Sequence, residues 1–440
     1  MSNHEGIQRI DCSHIALGMR VIELDRPWIE SPFTIKSFLI TTAREIAQLQ
    51  RHCKYVYIAE VTTTDIVILP AIDPLAIEAV KIEPEYHASI PTERPQQQIS
   101  YPSDHYQKPL GEHSYTDSQS MAKALPEAMS VHSMATSTVK ELMADMRLGK
   151  TFDTVAAKQV VKQCVDSVIA NEKAMLWLSL LKNVDEYTAQ HSVNVGLLSI
   201  VLGRAEGLSP AELETVGLCG MMHDIGKSII PQEILNKSGA FSGDEFEIMK
   251  THTTRGYNII TGNPDIETIV AEVAYSHHER LNGKGYPRKL PAENISFFTR
   301  IVAIADTYDA ITSKRVYSPA KSALEALTVL IGAGGTHFDS ELVQRFVECI
   351  GIYPVGAIAE LSNREVAIVL PSSPEQQDRP RVLRVRDHNK KPCEELLLNL
   401  ADEPKDQYGE VIRINHLLSE GLFDIELTNY HEQITDMLIS

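Results

Sequence analysis

The sequence predicts a mainly α-helical protein with a multi-helix metal-binding core, a small mixed α/β domain before that core and a β-hairpin appendage after it. Three observations predict this class. Helical periodicity dominates the middle of the chain, between Val131 and Ile350. Short apolar runs typical of strands stand on either side of it. A proline-rich stretch separates the first of these flanking regions from the helical part.

Residues 1–83 are predicted to form the small α/β domain. Residues 21–24 and 55–58 have the apolar patterns of strands, because they alternate or run continuously over a short length. Between them, residues 41–50 contain strong helix formers behind a candidate capping residue, Thr41. The pattern therefore indicates strands and a helix packed into one small unit.

Residues 84–130 are predicted to be a flexible linker. Six prolines stand there among Gln, Ser, His and Tyr, with few aliphatic residues. Such a stretch buries too little apolar area to offset the entropy lost on ordering. A packed proline-rich element is the alternative.

Residues 131–350 are predicted to be the helical domain. A helix over residues 187–206 is ended by Gly207, and Ser209 opens the next one with a capping box. Ser242 begins a second capping box, ahead of a helix that runs through His252 and Tyr257. Two further helices are predicted over residues 265–278 and 297–311.

Residues 351–440 are predicted to be a β-rich extension. Strand patterns cover residues 356–361, 365–370 and 381–386, with polar turns between them. We interpret this region as the hairpin appendage.

The charge balance limits the class of partner. The 440 residues carry 41 Lys and Arg against 59 Asp and Glu, a formal net charge of −18. An acidic excess repels polynucleotide backbones, so a nucleic-acid partner is excluded, whereas a small anion held by metals or by a local basic rim is allowed. The sequence has no secretory signal, no apolar run long enough for a membrane helix, and six scattered cysteines. These features predict a cytoplasmic protein with reduced thiols and no membrane contact.

Histidines and carboxylates at helical positions are the candidate chemical groups. A histidine on a helix is usually an ordinary core or surface residue, so only its neighbouring residues can indicate a site. Ligands on several helices can converge on one cavity, and imidazole with carboxylate suits Fe, Mn or another borderline divalent ion. Lys227 follows the His223-Asp224 pair by three residues, where its ammonium could reach a ligand phosphate. The candidates are His191, His223, Asp224, His252, His277, His278 and Asp306.

These motifs resemble the HD-GYP family, a branch of the HD metallophosphohydrolase superfamily. The resemblance rests on His223-Asp224, on His277-His278-Glu279-Arg280 and Gly285-Tyr286-Pro287, and on the run from Arg300 to Asp309. It covers residues 185–339, about a third of the chain. Residues 28–33 are similar to a small domain of unknown function that often precedes HD-GYP domains in bacteria.

The resemblance implies an HD-type core and a metal-dependent phosphodiesterase that linearises a bacterial cyclic dinucleotide, c-di-GMP or 3′3′-cGAMP. The seven candidates would be the metal ligands, and Asp224 would bridge two ions. Some family members bind a third ion through a glutamate four residues before the first histidine, where this chain has Tyr187. Glu186 would point about 140° away around a helix, so we expect two divalent ions. Fe or Mn fits best, and Ni, Co, Mg and Zn are further candidates.

In the implied mechanism a hydroxide held between the ions attacks phosphorus in line, and Lys227 stabilises the developing charge. Arg280, Lys284, Tyr286 and Arg315 are the candidate substrate-binding residues. Tyr286 with Pro287 could equally form a structural turn or contact a partner. The family's Arg-Pro-Tyr-Lys run is Arg315-Val316-Tyr317-Ser318 here, which leaves the choice between c-di-GMP and 3′3′-cGAMP open.

Two alternative functions and two kinds of partner stay open at this stage. A catalytically silent cyclic-dinucleotide sensor or adapter would be expected to have lost ligands. Another HD-type nucleotide phosphohydrolase would be expected to lack the Gly-Tyr-Pro segment. A homodimer or a signalling-protein partner could form through the N-terminal domain or the Gly-Tyr-Pro loop.

Overall fold

A computed structural model of the protein describes residues 7–12, 15, 20–25, 38–39, 49–59, 113–150, 153–180, 187–237, 239–313, 321–351, 353–372, 379–418 and 421–439. The chain divides into two compact units, Met1–Pro95 and Gln96–Ser440. Among the described residues, no helix combines the length and the apolar character needed to cross a bilayer.

The first unit contains a four-stranded antiparallel sheet. Its strands are β1 (Ile7–Asp11), β2 (Arg20–Leu24), β3 (Phe38–Leu39) and β4 (Tyr55–Ala59), in the order β1-β4-β2-β3. Val21, Leu49 and Val56 are fully buried in its core. The two predicted strands thus match β2 and β4. Most of the predicted helix over residues 41–50 lies outside the described residues. Residues 49–52 are described, and they are helical.

Helices dominate the second unit. Buried aliphatic and aromatic side chains, including Trp177 and Phe346, join most of them into one core, as the helical period of the sequence requires. Their bounds are α1 (Met121–Arg147), α2 (Thr154–Ala170), α3 (Glu172–Ser179), α4 (Tyr187–Ala205), α5 (Pro210–Met222), α6 (Gln232–Leu235), α7 (Gly243–Lys250), α8 (His252–Thr261), α9 (Thr268–Ser276), α10 (Phe297–Thr312), α11 (Ala323–Ala333) and α12 (Ser340–Ile350).

The predicted linker ends too late. Residues 84–112 lie outside the described residues, but α1 begins at Met121, so the linker assignment of residues 121–130 was wrong. Pro126 lies within α1 on its exposed side, whereas Leu125 and Ala128 are fully buried. A proline inside a helix costs about 3 kcal/mol, and burial of this apolar stripe offsets that cost. Pro126 was therefore wrongly taken as a sign of a linker.

Most other helix predictions match within a few residues. The capping boxes at Ser209 and Ser242 are both formed, and they open α5 and α7. The helix predicted to continue from Ser242 through Tyr257 is instead two helices, because α7 ends at Lys250 and α8 begins at His252. This break places His252 at the start of a helix.

The C-terminal region is larger than the predicted hairpin appendage. Strands β5 (Ile358–Leu361), β6 (Val366–Val369), β7 (Arg381–Arg386), β8 (Pro392–Asn399) and β9 (Ile414–Leu418) form a five-stranded antiparallel sheet in the order β8-β7-β6-β5-β9. A last helix, α13 (His431–Ile439), follows. Ile368 and Leu383 of the sheet and Ile434 of α13 are buried in the helical core. The pairing of strands that are far apart in sequence could not be predicted from local patterns.

Candidate metal centre

The structure brings all seven predicted ligands together. His191 lies on α4, His223 and Asp224 directly follow α5, and His252 opens α8. His277 and His278 follow the last residue of α9, and Asp306 lies on α10. Five helices separated by up to 115 residues of sequence, from His191 to Asp306, therefore converge on one place.

Two groups of three donors face each other across Asp224. The donor atoms of His191, His223 and Asp306 lie within 4.8 Å of one another, and so do those of His252, His277 and His278. Asp224 has one oxygen toward each group. Its Oδ2 lies 3.2 Å from Nε2 of His223 and 3.6 Å from Nε2 of His191. Its Oδ1 lies 3.4 Å from Nε2 of His252 and 3.8 Å from Nε2 of His277.

Three of the histidines are oriented by backbone carbonyls at helix ends. The Nδ1 atoms of His223, His252 and His277 lie 2.7, 2.7 and 3.1 Å from the carbonyl oxygens of the residues three positions earlier. The last carbonyls of a helix have no partner within it, so each ring donates its Nδ1–H to one of them. This leaves the Nε2 lone pairs for a metal. The partial negative charge at three helix ends also favours a cation here.

His191 is oriented differently. Its Nδ1 lies 2.7 Å from Oδ2 of Asp309, a side chain of α10. Oδ1 of Asp309 accepts a hydrogen bond of 3.1 Å from Nδ2 of Asn194, and Oδ2 accepts one of 3.1 Å from Oγ of Ser313. Nε2 of His191 faces Oδ1 of Asp306 at 3.2 Å.

The residues present fit a metal ion. Nε2 of His223 and Oδ1 of Asp224 are buried and have no hydrogen-bond partner among the described residues, a costly arrangement unless a ligand fills it. Burial lowers the pKa of His252 to about 4 and that of His278 to about 3, so both rings are neutral near pH 7. Burial alone would raise the pKa of Asp224, but the charge of Lys227 beside it holds it well below its usual range. Neutral imidazoles and an ionised carboxylate are what a divalent ion requires.

A short 3₁₀ helix, Ile225–Ile229, places Lys227 beside the centre. Nζ of Lys227 lies 2.5 Å from Oδ2 of Asp224, and 24% of the lysine side chain is exposed. Gly226 is required at this turn, because a Cβ there would lie 2.0 Å from the carbonyl oxygen of His252. The glycine therefore lets the Lys227 turn pack directly against α8.

The side chain of Glu279 holds the loop that follows His278. This side chain is buried, and its two oxygens accept hydrogen bonds from the backbone nitrogens of Arg288 at 2.7 Å and Leu290 at 3.0 Å. Gly285 lies so close to Glu279 that a Cβ would come within 2.4 Å of its Cα. Tyr286 stacks on His278 with ring centroids 4.7 Å apart. The Gly-Tyr-Pro segment thus packs against a metal-ligand candidate.

Of the remaining predicted site residues, Arg280 and Lys284 are described and Arg315 is not. Nη1 of Arg280 lies 3.5 Å from Nε2 of His337, and Lys284 is exposed on the same loop as Tyr286. Arg315, Glu186 and the side chain of Tyr187 lie outside the described residues.

The sequence reading assigned no role to Asp309, Glu279, Asn194 or His337. Asp309 and Glu279 stood inside the quoted motifs, one turn after Asp306 and directly after His278, and those positions were a usable signal. The sequence offered no such signal for Asn194 and His337, because their contacts depend on packing between separate helices and loops.

Comparisons with known proteins agree with this geometry. An HD domain model matches residues 176–342, and a model of a domain of unknown function matches residues 7–157. A cyclic di-GMP phosphodiesterase of Pseudomonas aeruginosa is 32% identical over 378 residues, which are 86% of this chain and 84% of the relative. One from Thermotoga maritima is 38% identical over 176 residues, which are 39% of this chain and 48% of the relative. A 3′3′-cGAMP-specific phosphodiesterase of Vibrio cholerae is 33% identical over 162 residues, 37% of this chain and 31% of the relative.

The predicted family and the predicted N-terminal domain of unknown function are both confirmed by these matches. The extensive similarity to the Pseudomonas relative spans both regions. The chain therefore belongs to the HD-GYP family of phosphodiesterases.

Proposed function

We propose that this chain hydrolyses one 3′–5′ phosphodiester bond of a cyclic dinucleotide and releases the linear dinucleotide. One observation carries the proposal: two groups of three donors, in which only His278 and Asp306 are half-buried and the others buried, face opposite oxygens of the single carboxylate Asp224. A carboxylate between two donor groups is the arrangement that a two-metal phosphodiesterase needs. The family of the chain supports the same reaction class.

His191, His223 and Asp306 would hold one ion, His252, His277 and His278 the other, and Asp224 would serve both. When bound, the ions supply Lewis-acid stabilisation of the phosphate and of its nucleophile. Nitrogen and carboxylate donors without thiolate favour Fe or Mn, and they also accept Ni, Co, Zn or Mg. The number and identity of the ions are part of this proposal.

The chain's own cations would receive the substrate. Lys227 lies beside Asp224 and is partly exposed, so its ammonium can stabilise charge that develops on a phosphate bound there. Tyr286 stacks on His278, and the cations Arg280 and Lys284 are proposed as substrate contacts on the same loop. These cations would offset, at this one place, the net charge of −18. Arg315 is proposed as a further substrate contact from the family resemblance alone.

The Pseudomonas relative, which matches most of the chain, supports c-di-GMP as the first substrate, and the Vibrio relative makes 3′3′-cGAMP the second. A silent sensor is not favoured, because all seven predicted ligands are present and their donors converge. A different HD-type nucleotide phosphohydrolase is not favoured by the relatives found. A cytoplasmic location, and a dimer or signalling partner bound through the N-terminal domain or the Gly-Tyr-Pro loop, remain predictions.

The test is a product-resolved assay of both cyclic dinucleotides with the full chain loaded with Mn²⁺ or Fe²⁺. The linear dinucleotide is expected with wild type, and Asp224→Ala should lower turnover by at least about 10³-fold. Asp265→Ala, an exposed carboxylate away from the centre, is the matched control and should keep full activity. Metal-loaded wild type that linearises neither substrate would contradict the proposal. Binding without turnover would then favour the sensor, and hydrolysis in a nucleotide panel would favour the other enzyme class.

A further inference from the structure

The Nδ1 atoms of four of the clustered histidines have acceptors of two kinds. Those of His223, His252 and His277 face backbone carbonyls three residues earlier, at helix ends. That of His191 faces a side chain on another helix, Oδ2 of Asp309 on α10, at 2.7 Å. A backbone acceptor belongs to the same local turn as its histidine, whereas Asp309 depends on how two helices pack.

The position of His191 explains the difference. It is the fifth residue of α4, which begins at Tyr187. The first turn of a helix has unpaired N–H groups, and its carbonyls are already used by the helical ladder. No free helix-end carbonyl therefore stands three residues before His191. An acceptor for its Nδ1–H must come from elsewhere in the fold.

The carboxylate of Asp309 is held in place firmly enough to be this acceptor. Only 2% of the residue is exposed. Nδ2 of Asn194 donates to its Oδ1 at 3.1 Å, and Oγ of Ser313 donates to its Oδ2 at 3.1 Å. Asn194 lies on the same helix as His191, and its Nδ2 also lies 3.0 Å from the carbonyl oxygen of Ser179. Both carboxylate oxygens are thus fixed in direction by neighbours that are themselves in place.

We propose that Asp309 is a positioning residue of the metal centre, which fixes the ring orientation of His191 and the Nδ1–H tautomer. In this tautomer Nε2, which lies 3.2 Å from Oδ1 of Asp306, carries the lone pair that would ligate an ion shared with that carboxylate. The inference rests on the proposed metal centre, but it concerns the affinity for metal and not the choice of substrate.

The experiment is Asp309→Asn in the full chain, tested with Mn²⁺ by chelator competition. The new amide has a single acceptor oxygen, for which Asn194 competes, so its NH₂ group faces His191 and disfavours the Nδ1–H tautomer. Mn²⁺ affinity is expected to fall by about 10- to 100-fold. Imidazole ¹⁵N NMR of the metal-free protein, assigned with His191→Gln, should show His191 changing to the Nε2–H tautomer. Asp436→Asn, an exposed carboxylate on α13, is the control and should bind Mn²⁺ like wild type.

The inference is overturned if folded Asp309→Asn keeps wild-type Mn²⁺ affinity and the original tautomer, even when its unfolding temperature falls. Failure of wild type itself to bind Mn²⁺ would overturn the proposed metal centre and this inference together, so the two failures are distinguishable. If Asp309→Asn does not fold, Ser313→Ala replaces it, because this change removes one hydrogen bond and keeps the carboxylate. About threefold weaker Mn²⁺ binding is then expected, and unchanged binding would contradict the inference.

Discussion

Nζ of Lys227 lies 2.5 Å from Oδ2 of Asp224, the carboxylate oxygen that also faces His191 and His223. His252 and His277 face the other oxygen, so a cation and four metal-ligand candidates share one buried carboxylate. The charge of Lys227 helps to hold the pKa of Asp224 well below its usual range, against the effect of burial. Lys227 thus helps to keep Asp224 ionised, and in the proposed function it also meets the phosphate of the substrate.

Lys227→Gln should separate these two roles. Turnover of the cyclic dinucleotide is expected to fall by about 10²- to 10³-fold, because one preorganised cation is lost from the transition state. Metal content should stay at the wild-type level, since the change removes a competitor for Asp224 and none of its ligands. Lys237→Gln, which disrupts a peripheral ion pair with Glu245, is the control. Unchanged turnover with Lys227→Gln would assign the lysine to structure alone.

Gly285→Ala should disturb the loop over His278. Its Cβ would lie 2.4 Å from Cα of Glu279, so backbone must shift, and a cost of about 1–3 kcal/mol in the free energy of unfolding is expected. Turnover should fall as well, because Tyr286 stacks on His278 from the next position.

Gly332→Ala is the matched control for Gly285→Ala. It lies in α11, where no described atom beyond its chain neighbours and its own helix backbone comes within 4 Å of the new Cβ. The change should therefore stabilise the helix by up to about 1 kcal/mol. Urea unfolding of both variants gives the two free energies. Equal effects of the two substitutions would contradict the packing argument.

Thr435→Val should show that the C-terminal region is part of the core. Oγ1 of Thr435 accepts a hydrogen bond of 3.3 Å from Nε1 of Trp177, which is fully buried on α3. Removing the acceptor while keeping the shape leaves the indole N–H unsatisfied, at a cost of about 1–3 kcal/mol. Unfolding of the full chain in urea gives this value. Thr328→Val, on an exposed helix face, should change it by less than about 0.5 kcal/mol. An independent appendage would show no loss with Thr435→Val.

The sequence predicted the parts of this protein that depend on local rules. Capping boxes at Ser209 and Ser242 gave two helix starts, and the family motifs gave all seven converging donors. It failed where long-range packing decides the outcome. Pro126 suggested a linker, although burial of the neighbouring Leu125 stabilises a helix there.

The orientation of the ligands shows the same limit. A sequence contains His191 and Asp309 as separate motif residues, but it does not record that α4 and α10 bring them to 2.7 Å. The five-stranded C-terminal sheet was likewise reduced to a hairpin, because its pairing of β5 with β9 joins strands more than 50 residues apart. Local pattern predicts elements, and only the packed fold gives their contacts.

Mild acidification should lower the free energy of unfolding of the metal-free protein. Burial lowers the pKa of His252 from 6.5 to about 4. The unfolded chain therefore binds a proton at this ring below about pH 6.5, whereas the folded protein binds it only below about pH 4. Stability from this residue is fully present above pH 6.5, is lost as the pH falls toward 4, and changes no further below that. The difference corresponds to about 3 kcal/mol.

The measurement is urea unfolding of the chelator-treated full chain at pH 7.5, 6.0 and 5.0. The free energy of unfolding should fall with pH in wild type, and His252→Gln should flatten this dependence because the substituted side chain binds no proton. His388→Gln, at an exposed histidine of the C-terminal region, should keep the wild-type slope. A slope identical in wild type and His252→Gln would mean that His252 does not remain neutral in the folded protein. The ring would then take up a proton already below about pH 6.5, and this proton would compete with a metal for Nε2 there.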